Sequence, residues 1–147
     1  MVQSATMQYQ TTTQEDTLTV LYDGACPLCR REIAIYRDLK ALAPVSFADV
    51  SDAATDLTEP AQPHGVTPAP SRAQLLARFH VRHADGRLSS GAAAFVELWA
   101  RMPGWRWLAR VARLPGVTPV LEWGYRGFLR LRPRMQRWAA SWDAARR

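Results

Sequence analysis

The chain's two cysteines stand as Cys26-Pro27-Leu28-Cys29, directly after a strand-like run and at the start of a helix-like one. Leu18-Thr19-Val20-Leu21-Tyr22 is apolar and β-branched and is stopped by Asp23-Gly24, the pattern of a buried strand ending in a turn. Pro27 suits a first helical turn, where its missing N–H costs nothing. Ile33, Tyr36 and Leu39 follow at helical spacing, which predicts a helix to about Ala43. Pro44 ends that helix, and Val45 to Val50 alternates apolar and polar residues as a second strand. Strand, helix and strand in such close succession make a βαβ unit, with parallel strands and a right-handed crossover.

Ser51 to Pro70 is rich in Pro, Asp, Thr and Ala and reads as an exposed loop, a poor place to seek chemistry. Ser71 is placed to N-cap a short helix through Gln74, Leu75 and Leu76. Phe79 to His83 alternates again, Asp85-Gly86 offers a tight two-residue turn, and Arg87 to Ser90 returns antiparallel, closed by Gly91. A helix is expected over Ala92 to Met102, with Phe95, Val96, Leu98 and Trp99 on one side. Further helices are expected over about Trp105 to Leu114, Pro119 to Leu131 and Arg134 to Ala145. The expected division is a flexible tail over 1–16, an α/β domain over 17–102, and a helical extension over 103–147 packed on it. A length of 147 residues suits one domain. With 48% hydrophobic and 22% charged residues, wholesale disorder and a disulfide-stapled miniprotein are excluded.

Charge is unevenly placed. Up to Gly91 there are 8 Lys and Arg against 10 Asp and Glu, and after it 11 against 3, hence −2 and +8. All six tryptophans, Trp99, Trp105, Trp107, Trp123, Trp138 and Trp142, lie in the same basic part, interleaved with Arg106, Arg110, Arg126 and Arg130. One reading is a surface that rests on an anionic membrane or a nucleic-acid backbone; the plainer reading, preferred here, is the solvated face of amphipathic helices. Lys40 is the only lysine among nineteen basic residues, which points to a chain-wide arginine bias rather than to phosphate recognition, and no nucleic-acid partner is expected. Leu114 to Leu121, an uncharged run of the C-terminal half, is far short of a spanning helix, and two prolines break it. Met1 to Thr17 resembles neither a secretory signal nor a transit peptide, so the expected address is the cytoplasm, with peripheral membrane contact through the C-terminal helices kept as a further expectation.

The cysteine pair carries the chemistry. Two intervening residues let one helical turn bring the sulfurs within bridging distance. A helix N-terminus favours a thiolate, lowering a cysteine pKa from about 8.5 to about 3.5–7.5. Cys26, at the helix edge and expected to be the more exposed, is the candidate nucleophile, and Cys29, one turn further in and expected to be buried, the resolving thiol. Asp23 carries two readings that stay open: an ionised carboxylate that accepts the proton of Cys29, or a plain Asp-Gly turn. The rival is a zinc site completed by His80 and His83, but residues three apart on a strand point to opposite faces. Each histidine is expected on the surface or in a cross-strand pair.

Leu21 to Glu32, with Asp23, Cys26 and Cys29 at the name-giving positions, resembles the signature of the DCC family of thiol-disulfide oxidoreductases. Phe79 to Gly86, Gly91 with Ala94-Phe95, Pro103-Gly104-Trp105 and Leu114-Pro115-Gly116 are similar to that family's downstream pattern. The resemblance runs from about Leu18 to beyond Tyr125 and implies a thioredoxin-like α/β fold with protein-disulfide reductase activity. Thioredoxins also place a cis-proline before the strand facing the site; Leu75 to Phe79 holds none, so the dithiol chemistry carries over and the docking mode does not. The expected partners are a disulfide-bearing protein or small-molecule substrate and an external thiol donor, with no bound cofactor or metal required. The alternative is a non-enzymatic module, redox-sensing through the cysteines and attached through its Trp/Arg-rich helices.

Overall fold

The computed structural model describes residues 16–57 and 70–146; the expected tail before Asp16 and the loop segment 58–69 lie outside them. Four strands form one mixed sheet in the order β2-β1-β3-β4. The strands are β1 (Leu18–Tyr22), β2 (Val45–Asp49), β3 (His80–Arg82) and β4 (Leu88–Ser90). The helices are α1 (Pro27–Asp38), α2 (Arg72–Ala77), α3 (Ala92–Ala100), α4 (Arg106–Ala112) and α5 (Val117–Ala145). β1 and β2 pair in parallel with Val20 opposite Phe47, as the βαβ reading requires, and β3 runs antiparallel to both β1 and β4.

β1 is central and covered on both faces. Leu18 and Val20 pack with Ile33 and Tyr36 of α1, Val81 of β3, and Ala94 and Leu98 of α3. Leu21 points the other way, onto Val50 and Leu75 of α2. This is the period-two alternation of a strand with an apolar layer on each side, each fully buried Leu or Val contributing about 1.5–3 kcal/mol. α2 begins with a capping box in which the Ser71 hydroxyl accepts from the Gln74 N–H and Gln74 reaches back to the Ser71 N–H.

Three boundaries differ from expectation. α1 stops at Asp38 rather than Ala43: Leu39 turns to extended backbone and packs against the core, and the Leu42 N–H donates to the Arg101 carbonyl at 2.7 Å. Tertiary partners thus take the backbone groups a longer helix would need. The hairpin closes through three residues, Ala84-Asp85-Gly86, not two, since the His83 N–H bonds the Arg87 carbonyl and the Gly86 N–H bonds the His83 carbonyl. Gly86 takes φ +86, the left-handed position that such a loop requires. Finally, the two helices expected after Pro119 are one, because α5 continues through Pro133. Proline there forfeits one backbone hydrogen bond, which contacts along the rest of the helix outweigh.

α5 crosses the α1 and α3 side of the molecule. Its inward positions, including Glu122, Tyr125, Leu129, Arg132, Gln136, Ala139 and Asp143, are buried or half-buried at helical spacing. Polar ties fix it: Arg78 pairs with Glu122, the Phe79 N–H donates to the Tyr125 hydroxyl at 2.7 Å, and Arg31 pairs with Asp143.

Candidate active site

The site begins where β1 ends. Asp23 Oδ1 accepts from the Ala25 N–H at 3.0 Å and its carbonyl accepts from the Cys26 N–H at 3.2 Å, so the residue does form the expected Asp-Gly turn. Asp49, at the end of β2, accepts from the Gly24 N–H at 2.9 Å, and a Cβ on Gly24 would fall 1.8 Å from its carboxylate. A side chain here would have to displace that carboxylate. Burial alone would raise the Asp49 pKa, but hydrogen bonds from Ser51 and Gly24 outweigh it and hold the carboxyl below its usual range.

The turn delivers Cys26 to the N-cap of α1, followed by Pro27 as the first helical residue. Cys26 Sγ accepts from the Cys29 N–H at 3.4 Å, so the sulfur occupies the position where a helix offers unpaired donors. Burial works against ionisation of Cys26, but hydrogen bonds from Cys29, Gln136 and Arg132 prevail and hold its thiol below the ordinary value. Cys29 behaves oppositely. Burial pushes its thiol up to about 12, with the neighbouring Cys26 sulfur and Asp23 adding to the rise and Arg132 opposing it. Two thiols one turn apart are therefore differentiated, one poised to ionise and one to keep its proton.

The exposure order is the reverse of the expected one: Cys26 is only 2% exposed, while Cys29 is half-buried. α5 closes over the pair, with Arg132 beside Cys26 and Cys29 on the same cavity wall, and its Gln136 and Arg132 favour the Cys26 thiolate. Arg132 is the hub of the site. Its Nη2 donates to Asp23 Oδ2 at 3.2 Å and lies 3.7 Å from Cys29 Sγ, and its Nη1 donates to the Leu76 carbonyl at 3.0 Å. The three residues singled out from sequence, Asp23, Cys26 and Cys29, thus meet at one place, and Arg132 and Gln136 join them from more than a hundred residues downstream.

A small, mostly apolar cavity adjoins the sulfurs, walled by Leu75, Leu76, Phe79, Phe95 and Phe128. Glu32, one turn beyond Cys29, also lines it and accepts from the Tyr36 hydroxyl at 2.9 Å. Burial raises the Glu32 pKa, and the tyrosine only partly offsets that. Neither histidine is on the cavity wall. His80, expected at the surface or in a cross-strand pair, is paired in β3 but buried, its Nδ1 2.8 Å from the Arg78 carbonyl oxygen. His83 sets Nε2 2.6 Å from Glu97 Oε2. Among the described residues no group of three or more His, Cys, Asp or Glu is arranged to hold a metal ion.

A mixed α/β sheet with a Cys-x-x-Cys at the junction of its first strand and first helix, plus a long C-terminal helix, defines a thioredoxin-like fold. The family model for DCC1-like thiol-disulfide oxidoreductases matches residues 20–138, most of the chain, and the chain belongs to that family. No curated protein and no solved structure matches it.

Proposed function

We propose that the protein exchanges electrons with a substrate disulfide through Cys26 and Cys29. The observation that supports this most is the placement of Cys26 Sγ on the α1 N-terminus, accepting from the Cys29 N–H at 3.4 Å, an arrangement that favours a thiolate at Cys26 while burial favours the thiol at Cys29. The Cys26 thiolate attacks one sulfur of the substrate disulfide; that S–S bond breaks, the second sulfur leaves as a thiolate and takes a proton, and a mixed disulfide remains. Cys29 then gives up its proton and attacks Cys26 Sγ, which forms the Cys26–Cys29 bond and releases the second substrate thiol. An external thiol donor returns the pair to the dithiol, a step suited to the reducing cytoplasm we propose as its compartment. Asp23 is the acceptor of the Cys29 proton in this scheme: its carboxylate shares Arg132 with Cys29 Sγ, and its charge keeps Cys29 protonated until the mixed disulfide needs it. No cofactor enters the electron balance.

Cys29→Ser tests the scheme. With a disulfide-bearing protein substrate it accumulates a mixed disulfide through Cys26, visible by mass spectrometry and cleared by added thiol. Absence of that adduct, with Cys26 alkylatable in the same sample, counts against substrate exchange. The near-complete cover over Cys26 favours a second reading, an internal redox-sensing pair. That reading gives a reversible Cys26–Cys29 bond and no adduct.

A further inference from the structure

The inward face of α5 covers the dithiol, but its outward face carries a second apolar surface. Val120, Gly124, Gly127, Leu131 and Trp138 fall on one line of the helix at spacings of three, four and seven, with Trp123, Met135 and Trp142 beside it. This stripe faces solvent: Val120 is 64% exposed, Trp123 79%, Leu131 51% and Trp138 60%, and the Trp138 and Trp142 rings lie 5.0 Å apart. An amphipathic helix that simply packed on the sheet would leave polar residues there. Here both faces are occupied, the inner one by the polar anchors Glu122, Arg132 and Asp143 and the outer one by tryptophan and aliphatic side chains.

The charges that border the stripe are mostly of one sign. Arg130, Arg134 and Arg137 are exposed, and so is Arg126, whose Nε lies 3.5 Å from Glu122; that carboxylate and Asp143, the two acidic residues of α5, are turned inward onto Arg78 and Arg31. α4 and the turn after it repeat the pattern on a smaller scale, exposing Trp107, Val111 and Leu114 among Arg106, Arg110 and Arg113. A second copy of the chain does not complement this surface, since a symmetric contact would bring arginine rows together with no carboxylate to meet them. A nucleic-acid strand would satisfy the arginines and leave Val120, Leu131 and Met135 uncovered. Tryptophan and aliphatic side chains inserted at headgroup depth, with arginine beside lipid phosphates, satisfy both at once. No helix of the described residues is long and apolar enough to cross a membrane.

We propose that the outer face of α5 lies on an anionic lipid bilayer, which sets the dithiol on the opposite side of the same helix. The test uses the full chain with vesicles of phosphatidylcholine alone and of phosphatidylcholine mixed with phosphatidylglycerol, read by co-sedimentation and by tryptophan emission. The expected result is binding to the mixed vesicles only, with a blue shift, weakened by added salt. The exposed pair Trp123→Glu with Trp138→Glu lowers binding by about tenfold or more, and Arg130→Gln with Arg134→Gln reduces it while shrinking the salt dependence. Circular dichroism and thiol titration of these variants should match the parent, which separates loss of docking from loss of fold. Equal binding to both vesicles, parent-level binding by the tryptophan variant, or a dimer in solution that buries the stripe overturns the proposal. So does binding to single-stranded DNA that competes with the mixed vesicles and survives the tryptophan substitutions.

Discussion

Arg132 sets its Nη2 3.2 Å from Asp23 Oδ2, although 109 residues of chain separate the two, and this contact ties the C-terminal helix to the turn that presents the dithiol. Both side chains are largely shielded, at 15% and 19% exposure. Removing the guanidinium leaves Asp23 Oδ2 and the Leu76 carbonyl without the donor they have here, and the half-buried carboxylate keeps only the Ala25 N–H on its other oxygen. Arg132→Ala should therefore lose about 1–3 kcal/mol of stability by chemical denaturation. It should also slow disulfide reduction beyond what that loss explains, because Cys26 and Cys29 both lose a stabilising donor. Arg132→Lys should recover part of the rate, whereas a purely structural role would restore stability and rate together.

Thiol reactivity should divide sharply with pH. The thiolate of Cys26 forms as pH rises through its lowered pKa, so its alkylation should reach half its plateau at a lower pH than that of an ordinary cysteine. Cys29 should resist until the pH nears about 12. The plateau rate at Cys26 should be well under that of a free thiol, since α5 covers it. Alkylation of the parent chain across pH, with the label located on Cys26 or Cys29 by fragmentation mass spectrometry, reads both midpoints, and Arg132→Gln should move that of Cys26 upward.

Acid should loosen α5 through Glu122. Burial would raise that carboxyl, but hydrogen bonds from Arg78 and the Ala92 N–H dominate and hold it below its ordinary value. A group with a depressed pKa in the folded state contributes stability that is fully present above its unfolded value of about 4.3 and is lost as pH falls through the folded one. Thermal unfolding should accordingly fall off below about pH 4, and Glu122→Gln should flatten that limb while lowering Tm at neutral pH.

A side chain at Gly24 comes at the expense of the Asp49 carboxylate. Gly24→Ala places a Cβ 1.8 Å from Asp49 and forces that carboxylate off the Ser51 and Gly24 donors. A cost of about 1–3 kcal/mol is expected from urea titration, together with a slower reaction at Cys26 as the N-cap shifts.

The sequence made the strand–dithiol–helix unit legible because each of its determinants is local: the β-branched run of β1, the Asp-Gly stop, proline at the first helical position, and the period-two alternation of β2. Ser71 with Gln74 was equally readable, since a capping box acts across three residues. What escaped depends on contacts far apart in the chain. The early end of α1 follows from Arg101 and the core taking over Leu42 and Leu39. The passage of α5 through Pro133 follows from anchors at Glu122, Arg132 and Asp143 on both sides of the proline. A helix N-cap ordinarily is exposed, which is why the sequence points to an exposed Cys26; the tertiary structure buries it and sets Arg132 beside it, and nothing near the motif announces that. The one available signal was an arginine and a glutamine, Arg132 and Gln136, four residues apart on the same side of a helix otherwise rich in tryptophan.

The central claim is that Cys26 and Cys29 form one reversible two-electron couple. Equilibration of the full chain in glutathione buffers, followed by mass-tagging of free thiols, reads it directly. The account expects a single transition in which both thiols disappear together, reverse together, and fail to form an internal disulfide in Cys26→Ser. Two free thiols at every buffer ratio, with the protein folded and Cys26 reactive toward alkylation, would contradict it.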